Sequence, residues 1–186
     1  MWTQIAGVCL AILGLLGTIL ICGLPMWQMS AFIGANIVTA QVYWRGLWMN
    51  CVIQSTGHSQ CLPYQSLLAL PKELQISMVL ICVSIAVSVV AIGLTLVGVR
   101  CTNFCRHNWR SKANYGRAGA AMFILAGLVC LVPVSWSAYT IITGFYNPLT
   151  APGGSGELGP CIYVGWISGV LQVIGGGVLC STYGCC

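Results

Sequence analysis

Four apolar runs constrain this chain more than any other feature: residues 5–25, 76–99, 116–138 and 161–182, each close to the roughly 20 residues an α-helix needs to cross hydrocarbon. None contains an Asp, Glu, Lys or Arg except Arg117 at one edge. Composition agrees, since 58% of the 186 residues are hydrophobic and only 5% charged, whereas a soluble domain carries charge at roughly a quarter of its positions. Disorder is excluded as well, because it needs few apolar residues and a high net charge. The chain therefore reads as a membrane protein with four spans. A proton relay, ion site or voltage sensor at depth needs ionisable groups that these spans lack, so conduction along the helix bundle is not expected.

Orientation follows from residues 100–115 and the edge of the third span, where Arg100, Arg106, Arg110, Lys112 and Arg117 stand without an acid. Cations gathered beside span ends mark a cytoplasmic loop, which places both termini in the cytoplasm. That position already explains the basic run, so no nucleic-acid role is assigned; attraction to anionic lipid headgroups is the added one. The first run has no basic residues before it and reads as an uncleaved signal anchor. Cys101 and Cys105, with His107 nearby, offer three ligands where a structural zinc takes four, so neither metal nor cofactor is expected. At the inner ends of spans, Cys101, Cys105, Cys180, Cys185 and Cys186 are instead palmitoylation candidates. Close helix contacts are expected at Gly165 and Gly169, at Gly175 to Gly177, and at Gly7 with Ala11. Pro133 is expected to bend the third helix and carry it past the membrane surface.

Residues 26–75 and 139–160 are then extracellular. In the first of these, Val38, Ala40, Val42 and Trp44 alternate with Thr39, Gln41, Tyr43 and Arg45 as in a strand. After a bend at Gly46, Leu47, Met49, Cys51 and Ile53 alternate with Trp48, Asn50, Val52 and Gln54. Turn residues at 55–58 return the chain to Cys61, giving an antiparallel hairpin. Cys51 and Cys61 are the only cysteines of this loop, in an oxidising compartment, and a disulfide between them is expected. Closing so short a loop stabilises by a little under about 3 kcal/mol. A redox pair would use a tight CxxC, not nine intervening residues. An enzyme fails on inventory, because the outside offers His58 and the distant carboxylates Glu73 and Glu157.

Trp27, Gly46-Leu47-Trp48, Cys51 and Cys61, in the first outer loop of a four-span chain, resemble the W-GLW-C-C signature of claudins. Further similar blocks are Ser30 to Gly34, Ser66 to Pro71, Pro133 to Trp136, Phe145 to Pro148, and Glu157 to Gly159 before Tyr163 to Trp166. The resemblance implies an α+β membrane protein: a left-handed four-helix bundle topped by a small antiparallel sheet of about five strands, four from the first outer loop and one from the second. It implies a structural protein of the plasma membrane at the tight junction, with other claudins as its partners in cis and in trans. Trp27, Gly46, Leu47 and Trp48 would anchor the sheet on the membrane surface. Leu67 matches a knob that enters a pocket on the next protomer, and Phe145, Tyr146 and Leu158 match that pocket. Asn147, Pro148, Leu149, Thr150 and Ala151 are similar to the motif that binds clostridial enterotoxin, although receptor members usually carry valine at the position of Thr150. An auxiliary subunit of an ion channel or receptor is the alternative, since such tetraspans share the GLW and two cysteines.

The chain also departs from the family. The positions that inform on charge selectivity, Gln54 and Leu62, are neutral, and Arg45 stands where an acid is common. Outside, Arg45 and Lys72 balance Glu73 and Glu157. A sealing function is therefore favoured over an ion-selective pore, with weak anion preference second. Charges usual in the family are replaced by Gln28, Met78 and Gly144. The sequence stops at Cys185-Cys186 without the Tyr-Val ending that binds PDZ scaffolds, so such scaffolds would be partners only through a tail this sequence lacks.

Overall fold

A computed structural model describes residues 2–32, 41–54, 57–66, 70–98, 109–146 and 156–183. Among the described residues four helices are long and apolar enough to cross a bilayer: α1 (Trp2–Gly23), α2 (Lys72–Gly98), α3 (Trp109–Tyr146) and α4 (Pro160–Tyr183). α1 ends two residues before Pro25, whose ring disfavours a helical residue in front of it. α2 starts at Lys72, directly after Pro71 and with Glu73 in its first turn, where an acid meets the positive end of the helix dipole.

α3 is longer than its apolar span, in line with the expectation that it passes the membrane surface. The apolar span of residues 116–138 is the middle of a helix of 38 residues, about 57 Å long at 1.5 Å per residue against roughly 30 Å of hydrocarbon. Residues 139–146 therefore continue α3 as about two further turns of helix. The helix runs through Pro133, which is buried. Hydropathy marks only the stretch that must sit in lipid, whereas the helix continues wherever its backbone hydrogen bonds do.

Around the bundle α1 packs on α4, α4 on α3 and α3 on α2, with slighter contact between α1 and α2. Small residues set these distances. A Cβ on Gly175 would stand 2.8 Å from the Ala11 nitrogen and 2.9 Å from the Gly7 carbonyl, and one on Gly169 would stand 2.8 Å from Leu131. Gly177, expected to take part, faces open space. Polar side chains of the spans bond across and along helices: Gln172 Nε2 donates to Thr18 Oγ1 at 3.1 Å, Thr18 to the Gly14 carbonyl at 2.9 Å, and Ser84 to the Ala126 carbonyl at 2.8 Å, while the buried Oε1 atoms of Gln4 and Gln172 have no hydrogen-bond partner among the described residues.

The outer segments form one antiparallel sheet in the order β4-β3-β2-β1-β5, from β1 (Gln28–Phe32), β2 (Gln41–Arg45), β3 (Met49–Ile53), β4 (Ser59–Pro63) and β5 (Gly156–Leu158). Four strands come from the first outer segment and one from the second, as the resemblance implied. The β3–β4 turn closes through Gly57, at φ +80°, with Gly57 N–H donating to the Gln54 carbonyl and Gln54 N–H to the His58 carbonyl. Val42 and Trp44 are half-buried while Tyr43 and Arg45 are exposed, so the alternation holds where it is described. Val38, Thr39 and Ala40 lie outside the described residues.

Candidate functional site

The sheet rests on the outer end of the bundle, and the residues that seat it are those of the GLW motif with Trp27. Trp27 is 2% exposed and Leu47 1% exposed, inside a cluster with Ile21 of α1, Met78 and Ile81 of α2, Val134 and Ala138 of α3, and Ile162 of α4. Every span thus contributes to one apolar seat. Buried indole N–H needs a partner, and Trp27 Nε1 donates to the Ile21 carbonyl at 2.7 Å, near the end of α1 where helical carbonyls lack N–H donors.

Gly46 is required at the bend because a Cβ there would collide with the Pro25 backbone. Its N–H donates to the Met49 carbonyl at 3.0 Å. Trp48, partly exposed, points its indole N–H at Cys22 Sγ, 3.5 Å away, as expected of a tryptophan at a membrane surface. From the other side, Gly159 N–H donates to the Trp27 carbonyl at 2.9 Å and Cys161 N–H to the Met26 carbonyl at 3.2 Å, so the start of α4 is stitched to the same corner.

Two devices hold the outer edge. Cys51 and Cys61 face each other in the β3–β4 register and form a disulfide. Tyr64, which the sequence reading did not single out, donates to Asn50 Oδ1 at 2.7 Å and lies 3.0 Å from the Gly46 carbonyl. Burial pushes the Tyr64 phenol up from its ordinary value, and the nearby Arg45 charge partly opposes this. Nothing in the spacing of Tyr64 distinguishes it from any other loop tyrosine; only the fold brings its hydroxyl under the Gly46 bend.

The selectivity candidates separate spatially. Arg45 closes β2 and is exposed, with its carbonyl accepting the Trp27 N–H at 3.0 Å. Gln54 caps the β3–β4 turn, and Leu62, 68% exposed, sits on the edge strand opposite Asn50. Leu158 pairs with Gln28 at the far edge and packs half-buried on the apolar seat. Phe145 and Tyr146 end α3. Leu67 lies outside the described residues, as do Asn147, Pro148, Leu149, Thr150 and Ala151, and Cys101, Cys105, Cys185 and Cys186. Cys180 packs half-buried against the inner cluster of Ala11, Ala91, Ala120, Phe123 and Leu179. Among the described residues no three His, Cys, Asp or Glu gather as a metal site.

The geometry is that of an ectodomain clamped to a bundle whose apolar spans carry no charge except Arg117 at one edge. Residues 1–179 match the PMP-22/EMP/MP20/Claudin family. The chain is 51% identical to Claudin-4 of Homo sapiens over 180 residues, covering 97% of this chain and 86% of that one. It is 52% identical to Claudin-3 of Canis lupus familiaris over 182 residues, covering 98% and 83%. The chain belongs to the PMP-22/EMP/MP20/Claudin family, and within it to the claudins.

Proposed function

We propose that this claudin is a barrier-forming protein of the tight junction. Protomers polymerise side by side into strands within one plasma membrane, and strands of adjoining cells meet through their sheets to close the space between them. The observation that carries the sealing reading is the sheet surface itself: Gln54 and Leu62 are exposed and neutral, and the exposed cation Arg45 stands apart from them at the end of β2. A narrow aqueous path along such a surface offers little charge to favour one ion over another. Leu67, Phe145, Tyr146 and Leu158 are the residues assigned to the side-by-side contact, and residues 147–151 to binding of clostridial enterotoxin.

Expression in a leaky epithelial monolayer tests this, with transepithelial resistance and dilution potentials read together. Resistance should rise with little change in the sodium-to-chloride permeability ratio. Reversing the charge by Arg45→Glu should move that ratio toward sodium by about four- to thirty-fold, because a change of two unit charges at roughly 8 Å in water favours sodium and disfavours chloride by about two- to six-fold each, with and without salt screening. Unchanged resistance in cells that deliver the protein to their junctions would overturn the sealing reading. An unchanged ratio in the variant would remove Arg45 from the conducting surface.

A further inference from the structure

A cleft of about 180 Å³ opens between the foot of the sheet and the outer turns of α2 and α3. Its walls carry Gln28 and Arg45 from the sheet, Glu73 and Leu74 from α2, and Gly144 from α3, with Trp27 at its base. Arg45 and Glu73 bear opposite charges yet do not pair with one another. Gln28 is held in place by Gly156, where a Cβ would collide with Gln28 Nε2.

The level of the cleft is set by α3. Thr140 and Gly144, both lining it, fall in the last turns of the apolar stretch of α3, which reaches Gly144, about 3 to 9 Å beyond residue 138 at 1.5 Å per residue. The end of an apolar span is the level at which headgroups of the outer leaflet meet a helix. A ligand there must offer an anion to Arg45 and a cation to Glu73, with apolar substance against Leu74 and Ile141. The volume is below the roughly 300 Å³ at which drug-sized pockets begin, so it admits a headgroup but not a whole lipid.

We propose that this cleft binds a zwitterionic phosphate ester, the headgroup of an outer-leaflet phosphatidylcholine or phosphatidylethanolamine, with phosphate at Arg45 and Gln28 and ammonium at Glu73. The site shares Arg45 with the barrier reading, but its occupancy is measured on isolated protein, so the two readings fail separately. The same chemistry is offered by free phosphocholine, and the test separates the two sources.

The full chain, purified in detergent, is titrated by native mass spectrometry with phosphatidylcholine, phosphatidylglycerol and diacylglycerol of matched acyl chains, each with and without soluble phosphocholine. Phosphatidylcholine should be retained about ten-fold more tightly than either comparison lipid, the scale of one charge-assisted hydrogen bond. Arg45→Gln and Glu73→Gln should each remove about that factor. Gly144→Leu should abolish the preference without disturbing the fold, since a Cβ at Gly144 meets no atom within 4 Å; circular dichroism checks that it is intact. Competition by phosphocholine at comparable concentration assigns the site to a free zwitterion, and lack of competition assigns it to the membrane. Equal retention of phosphatidylglycerol or diacylglycerol, or a preference that survives Gly144→Leu, overturns the proposal.

Discussion

Strand β4 has one neighbour in the sheet, and all five of its residues are exposed. Apolar burial contributes almost nothing to its place, so its stability should reside in the ladder with β3, the Tyr64 clamp and the Cys51–Cys61 bond. Replacing both cysteines by alanine removes a crosslink between residues 10 apart in sequence. In the chain-entropy account a loop of that length is worth about 2.7 kcal/mol. If the loss is confined to the outer edge, opening of the β3–β4 hairpin becomes about a hundred-fold more frequent, at 1.4 kcal/mol per factor of ten. Hydrogen–deuterium exchange of the protein in lipid nanodiscs reads this directly. Amides of β4 that donate to β3 should lose about two decades of protection, while β1 and the helices keep theirs, because the Trp27 and Leu47 seat does not involve β4. Two results would refute the reasoning. Unchanged exchange in β4 would mean that the ladder and Tyr64 suffice, and an equal loss across the bundle would mean that the sheet and the spans unfold as one unit.

Further substitutions test the seat and the helix contacts. Gly46→Ala puts a Cβ into the Pro25 backbone and should cost about 1–3 kcal/mol as overpacking; a thermal midpoint lowered in detergent checks it. Gly175→Leu forces α1 from α4 and should lower the midpoint likewise, whereas Gly177→Leu, where a Cβ meets no atom within 4 Å, should leave it unchanged. Tyr64→Phe removes the 2.7 Å bond to Asn50 and should raise β4 exchange by about five- to ten-fold, one neutral hydrogen bond being worth about 1 kcal/mol. The Tyr64 phenol is held above its ordinary value of 10.0, so the folded state keeps the proton more tightly than the unfolded one. The contribution of Tyr64 is therefore complete below pH 10 and is lost as pH rises through the raised value; β4 exchange in Tyr64→Phe should lack this alkaline step.

The spans were legible because hydrocarbon accepts only long apolar helices, and the hairpin because alternation and turn residues agreed. Other parts were not, for physical reasons. Gln28 to Phe32 form β1 although the stretch Gln-Met-Ser-Ala-Phe shows no clear alternation; the strand exists because β2 and β5 pair with it on both sides. The outer end of the α3 span is placed too early in sequence, because its apolar stretch continues through Ile141 and Ile142 to Gly144, past the tyrosine and threonines of residues 139–143 that break the run. Gly175 and Gly177 are indistinguishable in sequence, yet one meets α1 and the other nothing. Small-residue patterns reveal that helices approach closely but not which glycine faces the neighbour. Tyr64 was invisible for a similar reason, because its role depends on two acceptors that are local only after folding.

Gln28, Met78 and Gly144, where the resemblance implied charges in the family, acquire a common meaning from the fold. Met78 is 5% exposed, inside the apolar seat beside Trp27, Leu47 and Ile81, and a lone charge there would be buried without compensation, at a cost of several kcal/mol. Gln28 and Gly144 lie on the same side of that seat, on the cleft between sheet and helices. Replacing one charge of a buried cluster strands its partners, whereas replacing all of them together does not. In this chain the seat is held instead by apolar packing, by the Trp27 indole on the Ile21 carbonyl, and by backbone bonds from Gly159 and Cys161 to Trp27 and Met26. These interactions need no ionised group, so the attachment of the sheet should be insensitive to salt. The hollow lined by Gln28 and Gly144 then leaves Arg45 and Glu73 facing space that a ligand can enter. A ligand in that space would touch sheet and helices together and make their spacing depend on the surrounding lipid.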